Sequence, residues 1–171
     1  MATTIAAPPS DVWPWLVQMG CDRAGFYSWD RLDNGGRPSA ERIHAEWQDL
    51  AVGDRISCVP DASAWFDVAM LEPERVLVLR SSLQLPGGER FDPAVGMPRA
   101  SIDSTWAFLL SPTPEGGTRL VVRTNARGRP QGVFELFNWL AGEPAHRVMQ
   151  AKQLTELRRR AQGAVPRIAA V

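Results

Sequence analysis

The 171-residue chain carries 19 Lys plus Arg against 19 Asp plus Glu, so it has no net charge at neutral pH. That balance argues against a nucleic-acid binder, which needs a basic surplus for phosphates, and against a polybasic membrane-surface protein. With 44% hydrophobic and 22% charged residues the composition is that of a globular chain, and the length suits one domain over residues 1–171.

Thr3 to Ala6 reads as a short edge strand. Pro8 and Pro9 then open a helix, with Ser10 and Asp11 placed to meet free N–H groups. Val12, Trp13, Leu16 and Val17 follow at helical spacing, and Pro14 predicts a short or kinked helix that stops at Gly20. The stretch from Arg23 to Gly36 is irregular, with a short helix over Ser28 to Leu32 and a break at Asn34-Gly35-Gly36. Ser39 to Leu50 reads as another helix, followed by a Gly53-Asp54 turn into a strand from Arg55 to Val59. From Trp65 the period becomes two. Trp65 to Glu72 and Arg75 to Ser81 form one hairpin, and Ile102 to Ser111 and Thr118 to Arg127 form a second. Pro93, Gly96 and Pro98 make Arg90 to Ala100 a long loop or broken strand. Gln131 to Ala141 carries Val133, Phe134, Phe137 and Leu140 as a helical stripe. After Gly142-Glu143-Pro144 a long helix covers Ala145 to Gln162, and the tail from Gly163 is expected to be loose.

The fold class is therefore α+β, an antiparallel sheet whose apolar face needs a helix to cover it. The 14 Gly and 14 Pro are spread as punctuation and mark no linker. Cys21 and Cys58 are too few for a disulfide framework and lack a Cys-x-x-Cys partner, so we expect two buried, reduced thiols. The opening residues lack a basic n-region and a long apolar run, and no window approaches a membrane span. These features predict a soluble, cytoplasmic protein with no stable membrane insertion.

The last helix is the most informative element. On a wheel, Ala145, Met149, Leu154, Leu157 and Ala161 share a broad side, flanked or opposed by Arg147, Lys152, Arg158 and Arg159. His146 and Gln153 point into the middle of that side. In a dry core each needs a partner or costs about 1–3 kcal/mol. Two readings stand: each bonds a backbone group or a buried water, or the two line a wet or ligand-filled cavity.

The run from Ile5 through Trp13 to Gly20 resembles the opening of the START-like, birch-pollen-allergen-like (SRPBCC) superfamily. Arg23-Ala-Gly-Phe-Tyr27-Ser-Trp-Asp30, Val52-Gly-Asp54, Thr105-Trp106-Ala-Phe-Leu-Leu110, Thr118-Arg119-Leu-Val-Val-Arg123 and Met149-Gln-Ala-Lys-Gln153-Leu continue it along nearly the whole chain. The order of these motifs is similar to a bacterial branch described as polyketide cyclase/dehydrase-like. The resemblance implies a helix-grip fold, a bent antiparallel sheet wrapped around the C-terminal helix with a hydrophobic cavity between. Its members bind lipids, sterols, polyketides and other apolar molecules. Some are cyclases or aromatases, some are carriers, and one group protects its host against a reactive enediyne. Asn125 stands where a basic residue is usual in the family, which puts an anion-binding role of that strand in doubt.

Seven Trp against one Tyr is a skew that suits an aromatic-lined cavity. Trp29, Trp65, Phe66, Trp106, Phe108, Phe134 and Phe137, with Met149 and Gln153, are the candidate ligand-binding residues, and plain core packing is the alternative for each. Trp139 belongs to the same aromatic set. His146 is the candidate proton donor or acceptor, with Tyr27, Asp30 or Arg123 as helpers. Tyr27, Asp30 and Asp33 form an acidic-aromatic cluster in which Asp30 and Asp33 read first as helix caps and loop hydrogen-bond acceptors, with proton transfer by a partly buried carboxylate beside the phenol as the alternative. Arg119, Arg123 and Arg127 read as the solvent face of a half-buried strand, and Arg158-Arg159-Arg160 as a solvated helix end. His44 and Glu46, read as helical, should not share a face.

No phosphate loop, nucleophile elbow or serine triad is present, and two histidines do not suggest a metal. We therefore expect a monomer or homodimer that takes a hydrophobic small-molecule ligand without a cofactor. Such a protein is either a cyclase-, aromatase- or dehydratase-like enzyme, or a non-catalytic carrier, sensor or sequestering protein. A protein-binding module with an exposed apolar patch is the third class.

Overall fold

Period-two segments become strands and the proline-capped and C-terminal segments become helices. The computed structural model describes residues 1–163. Strands β1 (Ala2–Ile5), β2 (Arg55–Ser57), β3 (Trp65–Glu72), β4 (Val76–Gln84), β5 (Ser101–Pro112) and β6 (Thr118–Arg129) form one curved antiparallel sheet, in the order β1-β6-β5-β4-β3-β2. Helices α1 (Pro9–Val17), α2 (Asp30–Asp33), α3 (Gln131–Phe137) and α4 (Glu143–Gly163) complete it, with a 3₁₀ turn at Ala45–Trp47 and a π turn at Asn138–Gly142. Helix α4 packs against α1 and β1. This is the helix-grip arrangement of the α+β class. No helix among the described residues is long and apolar enough to cross a membrane.

Strand alternation decides what the concave face offers the helix. Across β4, β5 and β6 the inward rows run Leu77–Phe108–Val122, then Leu79–Trp106–Thr124, then Ser81–Ser104–Ala126, then Leu83–Ile102–Gly128. The first row is bulky and fully buried. Two rows on, the side chains are small and polar, so they cannot fill the same depth. Helix α4 is graded likewise. Leu154, Leu157 and Ala161 are buried towards its end, whereas His146, Met149, Gln150 and Gln153 occupy its first half. Volume is therefore left open at one end of the interface.

On the opposite face of the sheet, Asp103 is buried among cations. It accepts two bonds from Arg80 at 3.0 and 3.1 Å, one from Arg127 at 2.9 Å and one from Ser82 Oγ at 2.7 Å. Register explains the group, since Ser82 pairs with Asp103 and Asp103 with Arg127. Arg127 is thus an ion-pair partner, while Arg123 is exposed.

Several expectations are corrected. The helix expected over Ser39 to Leu50 is only the Ala45–Trp47 turn. Its backbone is taken elsewhere: the Gln18 amide donates to the Arg42 carbonyl at 3.1 Å and accepts from His44 N–H at 3.0 Å, and Ala40 N–H bonds Ala24 O at 2.9 Å. His44 is extended there, so His44 and Glu46 do meet, at 3.1 Å. Helix α1 ends at Val17 rather than Gly20, and its start after Pro8 has no side-chain cap. The break expected at Gly142-Glu143-Pro144 is absent, because the π turn at Asn138–Gly142 carries the chain directly into α4, which begins at Glu143. Val133 and Leu140 are exposed rather than the core stripe of α3, and Ala145 is exposed on α4. Arg160 is not solvated. It is 6% exposed, bonds Ala40 O, Glu41 and Glu156, and lies over the Tyr27 ring at 4.8 Å. Cys21 is buried and Cys58 is half-buried, and both are free thiols. The loose tail from Gly163 lies, beyond that residue, outside the described residues.

Candidate functional site

The open end of the sheet–helix interface is a cavity of about 550 Å³. Its floor is Ser104, Thr105 and Trp106 of β5 with Thr124, Asn125 and Ala126 of β6. One side is Phe26, Ser28 and Asp33, and another is Cys58 and Phe66. The roof is Asn138, Gly142, Glu143, His146, Met149, Gln150 and Gln153.

One wall is aromatic. Trp106 stands at the centre, 5.9 Å from Phe26, 5.8 Å from Phe66 and 4.9 Å from Phe108 between ring centroids. The same indole meets the edge of His146 at 6.3 Å. Such tilted contacts hold the rings rigid at little entropic cost. Trp106 is further pinned because its Nε1 donates to Gln150 Oε1 at 3.0 Å. Gln150 Nε2 donates to Gln153 Oε1 at 2.6 Å, and Gln153 Nε2 donates to the Phe26 carbonyl at 2.9 Å. Ser28 Oγ donates to the Met149 carbonyl at 3.1 Å, tying the same loop to the helix.

The polar groups of the site differ in satisfaction. Gln153 is buried and fully engaged with the backbone and Gln150, so both readings of it apply: it is a satisfied core amide and a lining residue. His146 is half-buried and makes no hydrogen bond to a side chain or backbone group among the described residues. Burial lowers its pKa, so the ring is neutral at pH 7. Asp33 is the other unpaired group. Both carboxylate oxygens are buried without a hydrogen-bond partner. Burial, and then the charge of Asp30, push this carboxyl up to about 6. Burial pushes the Cys58 thiol up to about 12, which makes it a poor nucleophile.

Of the residues singled out from the sequence, the structure brings His146, Phe66, Trp106, Met149 and Gln153 to the cavity, together with Asp33 of the acidic cluster and Asn125 of β6. Tyr27 is in the core beneath α4, where its hydroxyl accepts from Gln18 Nε2 at 2.9 Å and burial raises its pKa. Asp30 accepts from Ser39 Oγ at 2.6 Å, outside the lining. Arg123 points outward from β6, also outside the lining. Trp29 is 47% exposed with the Lys152 ammonium 5.7 Å from its ring, and Trp65 lies beside Arg55 at 5.0 Å. Phe108 is in the bulky row behind Trp106. Phe134 and Trp139 border a second recess of about 380 Å³, and the side chain of Phe137 lies outside the described part. Val133, Leu136, Trp139, Leu140 and Val148, on α3, the π turn and the first half of α4, are each exposed. Sequence reading missed Gln150, Asn138, Glu143, Ser104 and Thr124 as lining residues. For the last two a signal was available: Ser104 lies two positions from Trp106 on the same face of β5, and Thr124 pairs with Trp106 across the sheet.

No protein-family model and no curated protein matches the chain. Among solved structures it is similar to the solution NMR structure of a protein from Arthrobacter aurescens, 14% identical, over 96% of this chain and 85% of that one, with a TM-score of 0.52. It is similar to a protein from Mesorhizobium loti at 20% identity, over 97% of both chains, with a TM-score of 0.47. It is also similar to a Polyketide_cyc-like protein from Corynebacterium glutamicum at 18% identity, over 95% of this chain and 85% of that one, with a TM-score of 0.35. Of these three, only the Arthrobacter structure is close enough to carry a statement, and that statement is a shared fold.

Proposed function

We propose that the chain binds a largely apolar small molecule, polyketide-like or aromatic, in the cavity beneath α4. The observation that carries this is the pairing of a rigid aromatic wall, Phe26, Phe66 and Trp106, with a roof of His146, Gln150 and Gln153. A volume near 550 Å³ is in the range of small-molecule sites. The apolar wall supplies affinity, and the few polar groups fix orientation.

A second reading adds chemistry at His146. Its ring faces the cavity, is neutral, and has no hydrogen bond among the described residues, so it is placed to take a proton from a bound molecule. Cyclisation or dehydration of a folded substrate is the matching reaction class. Without that step the same site serves a carrier, sensor or sequestering protein.

Native mass spectrometry of gently purified protein, before and after organic extraction, tests the binding reading, together with titration of the neutral fluorophore N-phenyl-1-naphthylamine. An extractable apolar adduct, or saturable probe binding that quenches tryptophan emission, is the expected result. No adduct and no saturable binding would overturn it. His146→Ala then separates the two readings: an enzyme loses turnover of the identified ligand, whereas a carrier loses only affinity.

A further inference from the structure

Among the described residues, Asp33 is the one carboxylate of the site without a partner. It closes α2, lines the cavity, and neither buried oxygen accepts a hydrogen bond. A lone carboxylate in a low-dielectric wall is costly, and the polar groups of Ser28, Trp29 and Asp33 nearby offset that cost only in part. The described lining residues include Asp33 and Glu143 but no Lys or Arg, and His146 is neutral. Glu143 is already held by Arg147 at 2.6 Å. Lys152 is held by Glu156 at 2.8 Å. Asp30, on the same short helix, adds charge of the same sign. At pH 7.5 a carboxyl titrating near 6 is ionised, so the cavity interior is negative on balance.

We infer that the cavity selects organic cations: its ligand joins an apolar, aromatic body to an ammonium or similar cationic donor, with the Asp33 carboxylate as counter-ion. This rests on the binding reading above and narrows its ligand class. The field of Asp33 reaches the cavity through the poorly solvated wall that buries its oxygens, so the cation gains without a contact at the oxygens themselves. The faces of Trp106, Phe26 and Phe66 add the quadrupole that cations prefer. A carboxylated or sulfonated ligand meets the same field with the wrong sign.

Three dansyl probes with one fluorophore test this at pH 7.5: cationic dansylcadaverine, neutral dansylamide and anionic dansylglycine. Dansylcadaverine is expected to bind about tenfold tighter than dansylamide, the scale of one charge-assisted contact, with dansylglycine weakest. In Asp33→Asn the ratio of dansylcadaverine to dansylamide affinity should fall below about threefold, with thermal unfolding confirming the fold. The ranking in the unaltered protein stands as a test even if the variant misfolds. Equal binding of all three probes, or a preference that survives Asp33→Asn, overturns cation selection and leaves the binding reading intact. Failure of dansylamide and N-phenyl-1-naphthylamine alike overturns both.

Discussion

Trp106 on β5 and Gln150 on α4 are joined by a 3.0 Å hydrogen bond from the indole Nε1 to the amide oxygen, across 44 residues of chain. The bond begins a buried series that passes through Gln153 to the Phe26 carbonyl. Sheet, helix and the loop before α2 are thereby locked around the cavity wall. Gln150→Leu strands the indole N–H and the Gln153 oxygen together. At about 1–3 kcal/mol per unsatisfied buried group, the loss in urea unfolding should be about 2–4 kcal/mol. Gln153→Leu should cost a similar amount, and the double variant less than the sum, because the two amides share one bond. Additive losses would show that the series is not a unit.

Glu156 gathers Lys152, Arg159 and Arg160 on α4, and the two arginines reach on to Glu41. Burial works to raise its pKa, but hydrogen bonds from Lys152, Arg159 and Arg160 outweigh it and hold the carboxyl down to about 2. A folded value below the unfolded one means stability present above about pH 4.5 and lost as pH falls towards 2. Glu156→Gln should flatten that acid limb and cost about 1–2 kcal/mol at pH 7, because Arg160 is buried and keeps only Glu41 as an ionic partner. Urea unfolding at pH 3, 5 and 7 measures both, and an unchanged acid limb would show that Glu156 carries none of it.

Much of this fold was legible in the residues, because alternation is a local signal. Trp65–Glu72 was bounded to the residue, and the second hairpin missed its ends by one or two positions. Ser39 to Leu50 misled because Ala40, Ile43 and Trp47 do face the core at near-helical spacing, while the polar backbone between them is claimed by Gln18. Arg160 misled because Glu41, its partner, is 119 residues away. Within the site, His146 and Gln153 were visible as polar positions on an apolar side. Trp29, Trp65 and Phe108 were not separable from Phe66 and Trp106, since composition does not say which aromatic meets the open rows of the sheet. The isolation of Asp33 depends on how a loop, α2 and α4 close together, and no local pattern encodes that.

Asp33 sets a second pH effect of opposite sign. Its folded value, about 6, lies above the usual carboxylate range. Stability tied to the protonated group is fully present below about pH 4 and declines as pH rises through 6. Asp33→Asn removes the decline, so it should stabilise the ligand-free protein by about 1–2 kcal/mol at pH 7.5, after allowance for solvent screening. The gain should vanish near pH 4. Thermal melts at the two pH values check this, and a loss of stability at pH 7.5 would mean that a bound water or side chain already satisfies the carboxylate.

Gly128 and Phe134 seat α3 on the sheet. A Cβ on Gly128 would lie 2.3 Å from the Phe134 ring, too close for any real contact, so the aromatic ring rests directly on bare backbone. Gly128→Ala must push the ring, and α3 with it, away from β6 at a cost of about 1–3 kcal/mol. Because the π turn after α3 carries Asn138 and Gly142 into the cavity roof, the displacement should also weaken binding of N-phenyl-1-naphthylamine. Adding Phe134→Leu to Gly128→Ala should recover part of the stability, since the smaller side chain vacates the contact. Stability that stays low in the double variant would place the strain in β6 itself and not in the seat of α3.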